Sequence, residues 1–559
     1  MLYNRFMKIQ KKWGHSWLLV LMVLAATSMR FILLINNWPT TNSDEANMGI
    51  AALRIAYHGE WPAMFYGQGY MGPIEAYLAA PIFRLLGSSL LNLRLGLLLF
   101  YVAFVLAMYY FTSFLYTKKF ALFISLLLCL GSKEVIVRQL KAVGEYPELP
   151  LLAIIICILV LKIVWPYDKA KQEKGDRWRT ILYFLLGLAI AIAIWVDFLI
   201  LPFVVTGLIL LFLLAKKELL SASGLWLLLG FLIGIAPIII YNVTVPFDQS
   251  TFASVAGVIN ATHGKSYSIL QKVAGAFFIG IPNTTDYAHQ CSPTAFPGLG
   301  GDNGKCIILQ GGWSLGYLVL WTLALWKAIR SLRVERKDPL NEQKENRQKQ
   351  ISAYIRLMVL VSVGMTIVSY ALSTSAAAVP GPTARYLVCV MLSLPVVLWQ
   401  LWPQKNDRFY IHTRRLSPML SFTNICILLL VLGVFVSGIF ETFADLAEAQ
   451  QFAQQQTSLV QRLQALGATR VYTEYWTCNR LIFESKEQII CGVLNDDLTP
   501  GLNRYPPYQI EMQKAPRPVY VFPFQSQFDL NFSREQAKSH VSQKYHYIKY
   551  AGYSIYIPD

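Results

Sequence analysis

The sequence predicts an all-α polytopic membrane protein with about eleven transmembrane helices, amphipathic helices on its outer face and a small C-terminal α/β domain. Three observations carry that expectation. Of 559 residues 55% are hydrophobic and only 14% charged, whereas soluble domains carry nearer a quarter charged residues; a mean hydropathy of +0.43 agrees and excludes a cytosolic enzyme. Uncharged apolar runs reach the roughly 20 residues that a helix needs to cross a bilayer. Finally, the Lys and Arg residues gather in alternate connections between those runs.

The spans read at 17–36, 90–116, 120–137, 147–165, 181–196, 198–215, 224–242, 313–329, 353–372, 385–402 and 419–440. The N-terminus (Arg5, Lys8, Lys11, Lys12), Lys118-Lys119, 162–180, Lys216-Lys217, 327–356 and 403–418 together hold 27 positive residues, and nine acidic residues, Glu218 among them, share that face. The opposite connections hold 11 of each, and the tail from 441 holds 11 positive and 12 acidic. By the positive-inside rule the N-terminus is cytoplasmic, and an odd number of spans puts the tail outside. The net charge of +17 is then an orientation signal, and no nucleic-acid partner is expected. The first span follows a basic segment as a signal peptide does, but its length and lack of a small-residue cleavage site point to an uncleaved anchor.

Outside the membrane three segments exceed simple turns: 37–89, 243–312 and the tail from 441. Segments of that length tend to carry function. In the first, a helix starts near Thr41-Asn42-Ser43-Asp44-Glu45, with Ala46, Ile50, Leu53 and Tyr57 as its apolar stripe. One reading of this start is capping, with Asn42 as N-cap and Glu45 three residues on. The other is that Asp44 and Glu45 project into a cavity, where a carboxylate accepts a proton from an attacking hydroxyl. A second helix opens at Gly72-Pro73; Ile74, Tyr77, Leu78, Pro81, Ile82 and Leu85 form its apolar stripe, leaving Glu75 and Arg84 to the wet side.

After the third span, Lys133-Glu134, Arg138, Lys141 and Glu145-Tyr146-Pro147 form a polar cluster whose cations suit a phosphate and whose Glu145 suits an assisting acid. Asp197 reads as the polar tip of a helical hairpin. In 243–312, His263 and His289 accompany Asp248, Asp286 and Asp302 without ligand spacing, so no metal site is assigned. The loop Val379-Pro380-Gly381-Pro382-Thr383-Ala384-Arg385-Tyr386 places Arg385 at headgroup level, where it either snorkels to lipid phosphates or serves a specific site.

The tail reads as a Gln-rich helix over Glu441–Leu466, then strands at Arg470–Thr473, Gln488–Cys491, Pro518–Phe522 and Tyr553–Ile557: a small α/β domain that names no chemistry. Cys291 with Cys306, and Cys478 with Cys491, are spaced as local disulfide pairs suited to an oxidising compartment. Phosphate-loop, nucleophile-elbow and zinc-helix motifs are absent from the sequence.

The acidic pair after the first span, the Tyr66-Gly67-Gln68-Gly69-Tyr70-Met71-Gly72-Pro73-Ile74 stretch and the late Ala384-Arg385-Tyr386-Leu387 together resemble the GT-C membrane glycosyltransferases, in the branch of protein O-mannosyltransferases and aminoarabinose transferases. The resemblance covers residues 17–402. It implies a polyprenyl-phosphate sugar donor, an acceptor lipid, glycan or protein hydroxyl at the outer face, inversion at the anomeric carbon, and a bacterial inner membrane. Asp44 matches the family's catalytic aspartate, Glu45 its second acidic position and Glu145 a further acid. Arg138, Lys141 and Arg385 become candidates for the donor phosphate, and Tyr66, Gln68, Tyr70, Glu75, Tyr146 and Tyr386 for substrate contacts. No divalent ion is demanded where Arg and Lys neutralise the phosphate. Gly72-Pro73 stands where relatives carry Pro-Pro, and Glu75 where no acid is expected. The rival reading is a multi-span transporter or lipid-linked sugar flippase, against which stands the lack of an internal repeat.

Overall fold

The computed structural model describes residues 16–144, 146–165, 172–260, 266–287, 303–334, 343–403, 417–538 and 545–559. Helix fills every one of the eleven runs. In order they are α1 (Ser16–Ile35), α4 (Leu90–Leu115), α5 with α6 (Lys118–Cys129 and Lys133–Leu140), α7 (Glu148–Val164), α8 (Gln172–Val196), α9 (Leu201–Leu219) and α10 (Ala222–Thr244). Then come α11 (Asn303–Val334), α12 (Gln343–Leu372), a broken segment over Pro380–Leu398, and α13 (Ser417–Ala444). Between α1 and α4 lie α2 (Ser43–His58) and α3 (Ile74–Leu86). Nine of the described helices are long and apolar enough to cross a membrane, or ten if the bent α5–α6 pair counts as one span; α7, with 17 residues, falls just short. The chain is a multi-pass membrane protein.

Two spans differ from their sequence reading. The third, expected unbroken over 120–137, bends by 80° between α5 and α6. Gly131 turns the chain at φ 103°, and Ser132 restarts it as N-cap, its Oγ accepting from the Val135 amide. The tenth begins at Pro380 rather than 385, because prolines preset the dihedrals of a first helical turn, and runs as a 3-10 helix over Ala384–Ser393 before Leu394–Leu398.

Helices α8 and α10 approach until backbones touch: a Cβ on Gly187 would stand 1.9 Å from the Leu227 carbonyl oxygen. Small residues at such crossings replace a hydrophobic drive that lipid does not supply. Leu225, Leu229, Ile233 and Ile240 of α10 remain exposed, as lipid-facing side chains are.

The same inversion corrects the reading of α3. Of its expected apolar stripe Pro81 and Leu85 face outward, Leu85 82% exposed, and Ile74, Tyr77, Leu78 and Ile82 are half-buried, while Ala76, Ala79, Ala80 and Phe83 pack inward beside Glu75, which is 1% exposed rather than on the wet side. The physical reason is that α3 lies between α2 and α4, so small residues belong at the crossing and large ones meet lipid.

After α13, α14 (Leu446–Ala465) leads to the tail domain. The expected single helix over 441–466 breaks at Asp445, whose carboxylate pairs with Lys133. Five strands, β1 (Arg470–Thr473), β2 (Ile490–Val493), β3 (Val519–Pro523), β4 (Tyr545–Tyr550) and β5 (Tyr553–Pro558), form one sheet in the order β2-β1-β3-β5-β4. β1 runs parallel to β2 and β3, and β5 antiparallel to β3 and β4. Helices α15 (Tyr475–Glu484), α16 (Pro506–Gln513) and α17 (Gln527–Lys538) complete it. The second strand starts two residues later than expected, and edge strand β4, half polar and mostly exposed, has no counterpart in the sequence reading.

The domain is docked on α2. Phe483 fills the space over Gly49, where a Cβ would stand 2.5 Å from its ring, and stacks on Phe83 at 6.1 Å. Around this seam Arg54 and His58 bond Glu487 at 3.2 and 2.9 Å. Cys478 and Cys491 form the expected disulfide; of the other pair, Cys291 and the Cys306 side chain lie outside the described residues, as do Glu145, His263, His289 and Asp302.

Candidate active site

The site grows from the first turn of α2. Asn42 is extended, and its side chain accepts from the Glu45 amide at 3.0 Å, so the capping reading holds for the backbone. Glu45 does not return the bond. Its carboxylate, 0% exposed, takes the Arg94 guanidinium through Nε at 2.7 Å and Nη2 at 2.6 Å, and the Ala142 amide at 2.9 Å. One buried ion pair therefore fastens α2, α4 and the chain after α6; losing one partner of such a pair costs about 3–5 kcal/mol. An arginine inside the apolar run 90–116 was the available signal for it.

Asp44, one residue earlier, is differently placed, its side chain 18% exposed. Its Oδ1 accepts from the Tyr475 hydroxyl at 2.5 Å and from Arg504 Nη2 at 2.7 Å. Both donors come from the tail domain. Arg504 lies between the rings of Phe65 and Tyr475, 5.7 and 5.5 Å from their centroids, and passes over Gly67, where a Cβ would stand 2.8 Å from its Cγ. Its Nε and Nη1 are buried without a partner among the described residues. Ser43 fixes the approach by donating to the Tyr475 carbonyl at 2.5 Å. Burial, with Asp44 alongside, raises the Tyr475 hydroxyl and keeps it a donor.

Lys141 follows α6 and forms no hydrogen bond or ion pair among the described residues. Burial lowers its pKa; Asp44 and Glu45 nearby oppose that, and Arg94 adds to it. Glu75 takes the Gly144 amide at 2.8 Å; burial first, and Glu148 next, push its carboxyl well above the usual range, favouring the protonated form. Gly144 is held at φ 83°, and a Cβ there would stand 2.3 Å from Met71 Sδ.

Two of the phosphate candidates, Arg138 and Arg385, stand at Tyr146. Arg385 donates through Nη1 to the Tyr146 hydroxyl and through Nη2 to Tyr386, each at 3.4 Å. Arg138, Tyr146, Gln139, Tyr101 and Val388 line one small pocket. Arg138 also reaches the Asn283 carbonyl at 3.3 Å and lies near Asp286, a buried acid pushed up to about 6 by burial.

Tyr66 belongs elsewhere: its hydroxyl donates to Glu60, and its ring stands 4.7 Å from that of Tyr505, so it serves the docking seam. Glu60 also takes Arg54 and Tyr505, and these donors outweigh burial to lower its pKa. Gln68 closes a turn with Phe65 at 2.9 Å, its Oε1 buried without a partner. Tyr70 packs half-buried against the same core. Sequence reasoning missed Arg504, Tyr475, Arg94 and Glu148.

These features define a membrane protein whose candidate site joins the segment after its first span to a docked tail. No family model and no curated protein matches the chain. By structure it is similar to ArnT from Cupriavidus metallidurans bound to undecaprenyl phosphate, at 13% identity and a TM-score of 0.59, over 97% of this chain and 98% of that one. It is similar also to ArnT in the apo state, at 13% identity and 0.56 over the same shares. The chain thus shares the fold of these two structures, and the likeness runs through the tail as well as residues 17–402.

Proposed function

We propose that this protein is a glycosyltransferase of the bacterial inner membrane that moves a sugar from a polyprenyl-phosphate donor to an acceptor hydroxyl at the extracytoplasmic face, with inversion. One observation carries the reading: Asp44 stays partly open and is held by two donors, while Glu45 and Glu75 beside it are sealed. Two of the phosphate candidates belong to one element, Arg138 within α6 and Lys141 just after it, and Arg385 comes from the segment Pro380–Leu398. The undecaprenyl phosphate bound in the similar structure supports a carrier of that class.

In the reaction the acceptor oxygen attacks the anomeric carbon from the face opposite the phosphate. The carbon–oxygen bond to the carrier breaks, its electron pair leaves with the polyprenyl phosphate, and the attacking hydroxyl gives its proton to Asp44. Arg385, Arg138 and Lys141 neutralise charge developing on the leaving phosphate. Glu45 positions Asp44 through Arg94 rather than acting on substrate.

Asp44→Asn changes charge with little change of volume, so transfer from a polyprenyl-phosphate sugar to acceptor is expected to fall at least about a hundredfold with the melting temperature preserved. Near-normal transfer would remove Asp44 as base. Arg385→Ala is expected to strip the polyprenyl phosphate that co-purifies with the wild type, read by mass spectrometry of bound lipids; bulk phospholipid alone in both proteins would count against the donor class.

A further inference from the structure

A cavity of about 370 Å³ lies apart from Asp44's contacts, between the tail and the membrane part. That volume is at the lower end of small-molecule sites, roughly 300–1,000 Å³. Four pieces of chain wall it: the segment after α1, the turn between α3 and α4, α14 and the end of α15. Thr40, Thr41, Ser88 and Gln461 offer neutral hydroxyl and amide groups, Phe452 an aromatic ring and Glu484 one carboxyl, and among the described residues no Lys or Arg lines it.

Such a lining selects against anions. A phosphate or carboxylate entering here would meet a carboxyl group on the wall, the Arg480 guanidinium being buried over the Phe452 ring and bonded to the Trp476 carbonyl instead of lining the cavity, whereas a polyol can both donate to and accept from hydroxyls, amides and a carboxyl. Burial also pushes Glu484 up to about 7, so near neutral pH it is protonated in part and can donate.

The surroundings indicate where the ligand comes from. Leu85 and Leu86, just before Ser88, are 82% and 67% exposed, and Ile35 and Phe440, closing α1 and α13, are 50% and 72% exposed. These apolar side chains mark the bilayer edge, so the cavity opens at headgroup level. We propose that it binds the uncharged sugar headgroup of a membrane glycolipid whose chains remain in the bilayer beside Leu85 and Leu86. This goes beyond the transferase reading and requires no chemistry from Asp44.

The test uses the full chain in nanodiscs holding equal amounts of monogalactosyl diacylglycerol and phosphatidylglycerol, with retained lipids counted by native mass spectrometry. Two headgroup hydrogen bonds at about 1 kcal/mol each correspond to a preference of tenfold or more for the galactolipid. Ala453→Trp, which fills the cavity from the half-exposed face of α14, is expected to bring the ratio near one, and Gln461→Leu to lower it without filling space. Asp44→Asn should keep it, so failure of the transferase reading leaves this result standing. Equal retention by the wild type, or an undiminished preference in Ala453→Trp with an unchanged melting temperature, overturns the proposal. Full displacement by methyl galactoside at the same concentration would show a soluble sugar site and overturn the lipid source.

Discussion

Asp44 and Glu45 are neighbours in sequence with opposite fates, and a helix explains why. Successive residues point about 100° apart, so one carboxylate turns into the α2–α4 crossing and meets Arg94 while the other turns toward the tail. Asp44 was legible because an Asn42 cap followed by two acids is a local pattern. Arg504 was not, since its bond to Asp44 joins residues 460 apart in sequence, from a loop without periodicity. A prediction follows at this scale. Charge-assisted hydrogen bonds contribute about 1.5–3 kcal/mol, so Arg504→Gln should cut transfer by roughly 10- to 100-fold while Arg504→Lys recovers part of the loss. Steady-state kinetics with purified variants checks it; unchanged rates for Arg504→Gln would leave Arg504 as a docking residue only.

At the scale of elements, apolar periodicity located every span, but its direction on α3 was read from the rule for water. In lipid a stripe of Leu and Ile marks the outside, and the small residues Ala76, Ala79 and Ala80 mark the packed side. The break between α5 and α6 was marked by Gly131-Ser132 and the charged Lys133-Glu134, which a span drawn over 120–137 carried inside it because Val135-Ile136-Val137 resume the apolar pattern. The end of α15 supports a pH prediction. Glu484 stands at about 7 when folded, raised by burial against the opposing charge of Arg480, from an ordinary value of 4.5. A raised acid prefers its proton in the folded state, so stability is fully present below about pH 4.5 and declines until pH passes 7. The loss is at most about 3 kcal/mol. Glu484→Gln should remove it, seen as amide protection of Cys478–Phe483, taken relative to the intrinsic base-catalysed exchange rate at each pH, that no longer falls from pH 5 to 7; an equal fall in both proteins would place the titration elsewhere.

For the whole molecule, the docked tail constrains topology more tightly than charge counting does. Asp44 follows α1, Arg504 follows α13, and their 2.7 Å contact requires both on one side of the membrane. The chain between them must then cross an even number of times, and with α1 the total is odd. Ten crossings are thereby excluded: either α5–α6 and α7 both count, giving eleven, or neither does, giving nine. Twelve residues of α5 rise about 18 Å against a hydrocarbon core of about 30 Å, so α5 reaches across only with its chain continuing through the bend into α6, and α7 returns. The excess of Lys and Arg on alternate connections predicts which side is which by the positive-inside rule. In intact cells a membrane-impermeant maleimide is expected to label Asp497→Cys on the tail and to spare Lys118→Cys at the start of α5, both exposed positions, until the membrane is opened. Labelling of both from outside would break the parity on which eleven spans rest. Labelling of Lys118→Cys alone would keep the fold and reverse it in the membrane, moving Asp44, Arg504 and the proposed transfer to the cytoplasmic face.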